Sequence, residues 1–490
     1  RRTEQTACRG SFNRLSMSDP FVVVGGDAAG LSAASKCRRE DPERDVVVFE
    51  KGRWVSYAHC GTPYFVKGDV DSLTDLLSLS PADVEDRGID LRREHEVVAV
   101  DADARTVTVR GPDGEFAQSY GDLLVATGGH AVSDPIDGFG LDGAFTLHGL
   151  DHAAAVRAFL ADPDEFSVGD LGGVDYVDRE TAARYGAMDP PETVAVAGGG
   201  YVGIEMTEAF VEHGLDVHLF QRPDRLLPPF GEAVGDRVAD HLRERGVTLH
   251  LGEEVTELRG DDRVETLVCG SGTELDVDAA LVGIGIRPNT ALVEGTPVEL
   301  GDSGAIATDE FGRTSVESVY AAGDVAEMRH VVTGDPTWDP LGLPANRAGR
   351  AIGSTVAGDP EPVGGVAGTA VVKAFELGCG RAGILDHERA REAGFDPVSA
   401  TITAGSRSGY YPGGSETTVT LTADRDSERL LGGNVVGADR AAIRIDTVAT
   451  ALGAEMTVGD LERQDLAYAP PFSPVWDPVL VAAKVLRGRL

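Results

Sequence analysis

The first continuous apolar run of the chain is Phe21 to Val24, closed by the loop Gly25-Gly-Asp-Ala-Ala-Gly30. A short unbroken run of this kind predicts a strand buried on both faces, and a helix-like stretch to Arg39 and a second run, Val46 to Phe49, complete a βαβ unit. The succession returns about 170 residues later as Val194 to Ala197, the loop Gly198-Gly-Gly-Tyr-Val-Gly203, a helix to about His213 and the run Val217 to Phe220. Two further strands are predicted to end in special sequences, Tyr120 to Gly128 in Ala-Thr-Gly and Val319 to Asp324 in Ala-Gly-Asp. Beyond residue 366 the pattern changes to alternating runs such as Thr401-Ile-Thr and Thr417 to Leu421, and no further glycine-rich loop occurs.

These elements predict an α/β protein with two Rossmann-like nucleotide-binding units and a C-terminal α+β domain. The first unit is expected to be discontinuous, from 18–150 and 286–362, with the second over 151–285 and the third over 366–490. Residues 161–192 are acidic and rich in glycine and proline, which predicts a surface insertion. Residues 1–17 carry four arginines without apolar periodicity and are expected to be a disordered or upstream-start extension.

Within 490 residues no apolar run is long enough to cross a bilayer, and no leader pattern is evident, so a cytoplasmic protein without a membrane partner is expected. The five cysteines, Cys8, Cys37, Cys60, Cys269 and Cys379, lack metal-ligand spacing and pair into no framework. No metal is therefore expected. Against 44 bases stand 81 acids, a net charge of -37, which makes nucleic acid a poor partner. Only five bases are lysines. Such acid-rich, lysine-poor composition resembles that of salt-loving archaea, in which self-repulsion is screened over roughly 3 Å in molar salt.

In a dinucleotide fold, loop glycines let the backbone reach a pyrophosphate, and an acid ending the second strand bonds a ribose hydroxyl. Gly25, Gly30 and Glu50 fill these places, with Asp27 where a middle glycine is usual and Ala28, Ala29 and Lys51 beside them. The second loop has the full spacing, Gly198, Gly200 and Gly203, with Tyr201 and Val202 inside it and Glu205 in the helix. Gln221 and Arg222 stand where an acid would select NADH. Arg222 suits a 2′-phosphate, which favours NADPH or dual use of NADPH and NADH, the alternative being that it simply faces solvent.

The two loops, the Ala126-Thr127-Gly128 and Gly323-Asp324 endings, Val97 and the exit Gly283-Ile-Gly285 together resemble the FAD-dependent pyridine nucleotide-disulfide oxidoreductases. That resemblance implies FAD and NAD(P)H as cofactors, with Asp324 on the ribityl chain. The segment Val55-Ser56-Tyr-Ala-His59-Cys60-Gly-Thr-Pro-Tyr64 is similar to the active-site segment of the single-cysteine members, since the second cysteine of the disulfide reductases is replaced by Phe65. Cys60 then needs an external sulfur or oxygen partner, acting as a thiolate whose pKa a flavin, helix terminus or base would lower.

Peroxide- and oxygen-reducing members carry a histidine at the place of Ala28. The Cys-Gly-x-Pro-Tyr pattern is that of the coenzyme A-disulfide reductases, which lack that histidine. This closer resemblance implies a homodimer with shared active sites. Tyr411, Tyr410 and Tyr468 would face the partner's thiol, Lys36 and Arg39 the CoA phosphates, and Ser56, His59 and Asn346 the rest of the substrate. His59 replaces an asparagine and could equally steady the thiolate. Reduction of CoA disulfide through a Cys60 mixed disulfide is the function implied, with NAD(P)H oxidase, peroxidase or polysulfide reductase as the alternative enzymes, and a slowly turning flavin redox sensor as the alternative of another class.

The charge imbalance has a direct consequence. The melting temperature of the purified protein should rise steeply between about 0.1 and about 2 M KCl, as screening removes self-repulsion; a flat profile by scanning calorimetry would contradict it.

Overall fold

The alternating positions of Phe21–Val24 feed two different cores. Phe21 and Val23 pack with Ala29, Leu31 and Ile352 of the helices on one face, whereas Val22 and Val24 pack with Val97, Val107 and Val109 on the other. Side chains of successive strand residues point to opposite faces, so a continuous apolar run is what a strand covered on both sides requires. In the computed structural model, which describes residues 19–172 and 176–490, this strand is the centre of a parallel five-stranded sheet. The order is Val319–Ala321, Asp122–Val125, Phe21–Val24, Val46–Glu50, Asp90–Arg93. The arginine-rich stretch 1–17, with Cys8, lies outside the described residues.

Helices Ala28–Glu40 and Gly342–Val356 cover one face and touch almost backbone to backbone. A Cβ on Gly349 would lie 2.1 Å from the carbonyl oxygen of Ala29, so only glycine permits this approach. The antiparallel strands Glu96–Asp101, Thr106–Gly111 and Gly114–Ser119 cover the other face.

A second parallel sheet runs Thr248–Leu251, Asp216–Gln221, Thr193–Ala197, Ala279–Val282, Ala144–Phe145. Its last strand precedes residue 151, so the chain enters the second sheet before the boundary that the loop spacing suggested. The 161–192 stretch is also more than a surface insertion. Leu171, Ala182 and Tyr185 are buried, and the Tyr185 ring packs on Phe145 and Phe159 at centroid distances of 4.9 and 5.5 Å. Its acids dominate the composition, while its few apolar side chains do the packing.

The third sheet is antiparallel, in the order Ala370–Ala374, Leu377–Gly383, Leu430–Gly437, Glu416–Asp424, Pro397–Gly405. It is tied to both other regions through Glu208 of the helix Tyr201–Glu212. The buried Glu208 carboxylate accepts from Lys67 at 2.9 Å, from Lys373, and from the backbone N–H of Phe375 at 2.7 Å. Burial works against its charge, yet the two ammonium groups hold its carboxyl below the usual range. Glu208→Ala would leave Lys373 and the Phe375 amide without this acceptor and Lys67 with Asp69 alone. A loss of about 3 kcal/mol in chemical denaturation of the holoprotein is expected, and a loss below about 1 kcal/mol would show the clamp to be dispensable.

Candidate active site

The two βαβ units place their loops at the strand ends that face one large cavity of about 2780 Å³, lined by both loops and by Cys60. Single-ligand sites are typically 300–1,000 Å³, so this volume suits two dinucleotides and a further substrate. Gly25 and Gly198 take φ values of +111° and +109°, and a Cβ on either would strike a carbonyl oxygen, that of Ala126 at 2.1 Å or of Gly283 at 2.3 Å. The side-chain-free turn leaves the amides at the helix starts open to an anionic phosphate.

The second strands end in matching bonds. Glu50 accepts from Gly26 N–H at 2.8 Å and from Gly52 N–H at 2.7 Å, and Gln221 accepts from Gly199 N–H at 2.8 Å. The neutral amide thus occupies the position of the carboxylate. Arg222 is exposed and paired with Glu254 at 3.4 Å. Of the cofactor residues expected from the sequence, only Gly30 and Gly203 stay off the cavity wall; both sit where a Cβ would collide with the carbonyl of their own loop, at 1.9 and 1.7 Å. These features fit nucleotides in both units.

Cys60 is exposed in the turn His59–Gly61, which runs directly into the helix Thr62–Lys67. Phe65, in the place of a second cysteine, is fully buried and lies under the Arg157 guanidinium, 4.5 Å from the ring centroid. Cys37, Cys269 and Cys379 are buried, and burial pushes their thiols up to about 12, 11 and 12. Among the described residues, Cys60 is therefore the exposed thiol.

The segment 55–64 is fastened to the first loop. Ser56 donates its N–H to Gly26 O at 3.0 Å, Tyr57 its N–H to Asp27 Oδ1 at 3.2 Å, and His59 Nε2 meets Asp27 Oδ2. Ser56 holds a φ of +51° in doing so. Thr127, Asn289 and His130 close the adjacent wall, with Thr127 Oγ1 donating to Asn289 O at 2.7 Å. Asp324 lines the cavity, and burial raises its carboxyl.

Against the expected lowering, burial, then Glu205 and Asp324, raise the Cys60 thiol on balance, opposed by a backbone hydrogen bond. Lys36 lies outside the cavity wall, paired with Glu40 on its own helix, whereas Arg39, Ser56 and Asn346 line the cavity. Tyr410, Tyr411 and Tyr468 are exposed and absent from the cavity of their own chain.

A further pair escaped the sequence reading. Tyr64 Oη donates to Glu205 Oε1 at 2.8 Å, joining the thiol's helix to the second nucleotide unit. Burial pushes Glu205 up to about 7, with Glu208 adding to the shift and the Tyr64 bond opposing it. The 141 residues between the partners hid the pair from any local pattern.

A family model described as pyridine nucleotide-disulphide oxidoreductase matches residues 19–337, and its dimerisation domain matches 369–478. The chain belongs to this family. It is 41% identical to the NAD(P)H sulfur oxidoreductase (CoA-dependent) of Pyrococcus abyssi over 95% of this chain and 98% of that one. It is 30% identical to the coenzyme A disulfide reductase of Staphylococcus haemolyticus, over 92% and 96%. The solved NAD-dependent persulfide reductase from A. fulgidus superposes with a TM-score of 0.87 at 33% identity, covering 96% of this chain and 83% of that chain. The oxidoreductase is accordingly a flavoprotein that takes FAD as cofactor and NAD(P)H as electron donor. No helix among its described residues is long and apolar enough to cross a membrane.

Glu205 gives a pH-dependent test. Its folded pKa of about 7 exceeds its ordinary 4.5, so the folded state binds the extra proton and stability is lost as pH rises through about 7. Glu205→Gln should therefore raise the melting temperature of the holoprotein more at pH 8 than at pH 5, and an equal shift at both would count against the assignment.

Proposed function

We propose that the flavoprotein reduces sulfur–sulfur bonds carried by coenzyme A, with CoA disulfide as substrate, NAD(P)H as reductant and Cys60 as the exchanging thiol. The carrying observation is the exposed Cys60 at the cavity between the two nucleotide loops, with buried Phe65 where an internal disulfide partner would stand.

When bound, FAD supplies a two-electron relay between nicotinamide and sulfur. The Cys60 thiolate attacks one sulfur of the disulfide, forming a mixed disulfide, and the other CoA leaves as a thiolate that takes a proton. Two electrons from NAD(P)H then break the mixed disulfide, and the second CoA leaves as a thiol. In sum, one NAD(P)H and one proton convert one disulfide to two thiols.

The polar wall supports a substrate of this class. Arg39 offers a cation to phosphate, and Ser56 and Asn346 offer hydrogen bonds to the remainder. The Asn346 side chain is already oriented by Ser32 at 2.7 Å and Gly342 O at 2.9 Å. Tyr410 and Tyr468 are hydrogen-bonded to each other, and both are exposed, as are Tyr411, Phe472, Val475 and Trp476. In a homodimer that buries these side chains, Tyr411 and Tyr468 would face the partner's thiol, where a phenol can protonate the leaving thiolate.

A second reading shares the thiol: CoA persulfide or polysulfide as acceptor, favoured by the 41% identity to a CoA-dependent sulfur oxidoreductase. NAD(P)H-dependent release of thiol from CoA disulfide and of sulfide from CoA persulfide should both fall at least 100-fold in Cys60→Ser. The faster wild-type acceptor decides between the readings, and unchanged turnover in the variant would sink both.

A further inference from the structure

Two departures from the family pattern, separate in the sequence, meet in space. Asp27 replaces a loop glycine, and His59 replaces an asparagine beside the cysteine. Asp27 is the N-cap of the helix Ala28–Glu40 but makes no side-chain bond to its amides, although an aspartate there ordinarily does. It is turned instead onto the redox segment, accepting from Tyr57 N–H at 3.2 Å and pairing with His59 Nε2. The other imidazole nitrogen, Nδ1, faces the carbonyl oxygen of His148 at 3.1 Å.

Both partners of the ring are acceptors. A neutral imidazole has one N–H and would set its remaining lone pair against an oxygen lone pair. With Asp27 ionised, both contacts are hydrogen bonds only if both nitrogens carry protons, so the geometry calls for an imidazolium. The surroundings agree. Burial, then the charge of His59, pushes His148 down to about 4, which leaves it neutral and able to donate from Nε2 to Gly129 O at 2.7 Å. Burial would lower His59 itself, but the bond to Asp27 and its charge outweigh that and raise it. The Tyr57 ring lies 4.1 Å from the His59 ring, a π-face against a cation.

Cys60 follows His59 in the same turn. The charged groups acting on the thiol from other elements are acids, Glu205 on the second unit's helix and Asp324 after the strand Val319–Ala321. Tyr64 of the thiol's own helix is engaged with Glu205. A thiol pushed up by burial and two acids stays protonated and unreactive at neutral pH unless a nearby cation opposes them.

We propose that Asp27 and His59 act as one positioning unit, a carboxylate–imidazolium pair that holds Cys60 as the reactive thiolate. Neither residue touches substrate in this role; the imidazolium end acts on the sulfur through its charge. The proposal rests on Cys60 as the exchanging thiol.

The test is the pH dependence of Cys60 alkylation by iodoacetamide in the holoprotein, with the modified peptide identified by mass spectrometry. It needs no CoA compound, so its outcome is independent of the substrate reading. In Asp27→Asn the imidazole loses the carboxylate that outweighs its burial, which then lowers it, and the cation is lost, so the thiol pKa rises by about one unit, roughly tenfold in rate at pH 7. In His59→Gln a bare carboxylate remains, and the pKa rises further. The double variant returns to the Asp27→Asn level. His59→Lys keeps a cation and stays near wild type, and flavin absorbance and melting temperature show that each variant is folded. A His59→Gln profile that superposes on wild type, a double variant that sums the single shifts, or a His59→Lys profile that matches His59→Gln would overturn the proposal.

Discussion

The site depends on how the segment Ser56–His59 is sewn onto the first nucleotide loop. One backbone bond to Gly26 and two contacts to Asp27 fix the chain on either side of Ser56, whose positive φ turns the following residues toward the cavity. From the other side, Ser78 N–H donates to Ser56 O at 2.7 Å and Ala58 N–H to Leu76 O at 2.8 Å, so the segment is held between two stretches of backbone. The thiol's neighbour Phe65 anchors the other end by complete burial. The thiol is thus exposed between two fixed points.

Electrostatics around that thiol run against the simple picture of a basic pocket. The acids that dominate the composition also border the site, in Glu205, Asp324 and Asp27, and several are partly neutralised by specific partners. Tyr64 bonds Glu205, His59 pairs with Asp27, and Lys67 and Lys373 converge on Glu208. Two of only five lysines are spent on that clamp. At that place a compact cation on a flexible stem reaches a buried carboxylate from each side.

The nucleotide loops were legible in the sequence because their requirements are local. A positive φ at Gly25 and a carbonyl within van der Waals reach at Gly30 admit no side chain, so the spacing itself carries the information. Glu50 and Gln221 were legible as strand ends, but their shared use in bonding the loop amide was not. Lys36 was assigned to the CoA phosphates by resemblance alone, and its i,i+4 contact with Glu40 is a local pairing that the resemblance does not carry. The acidic stretch 161–192 was judged by its majority of polar residues, while Leu171 and Tyr185 decided its packing.

The sequence alone determined the two nucleotide folds, the redox-type segment around Cys60 and the absence of a second cysteine at Phe65, because each follows from residues within a few positions of one another. The tertiary structure decided the charges the thiol feels. Asp27 and His59 are 32 residues apart and Tyr64 and Glu205 are 141 apart, and each read alone as an oddity or a helix residue. A hydrogen bond acts only over about 3 Å, and only the fold determines which distant residues come that close.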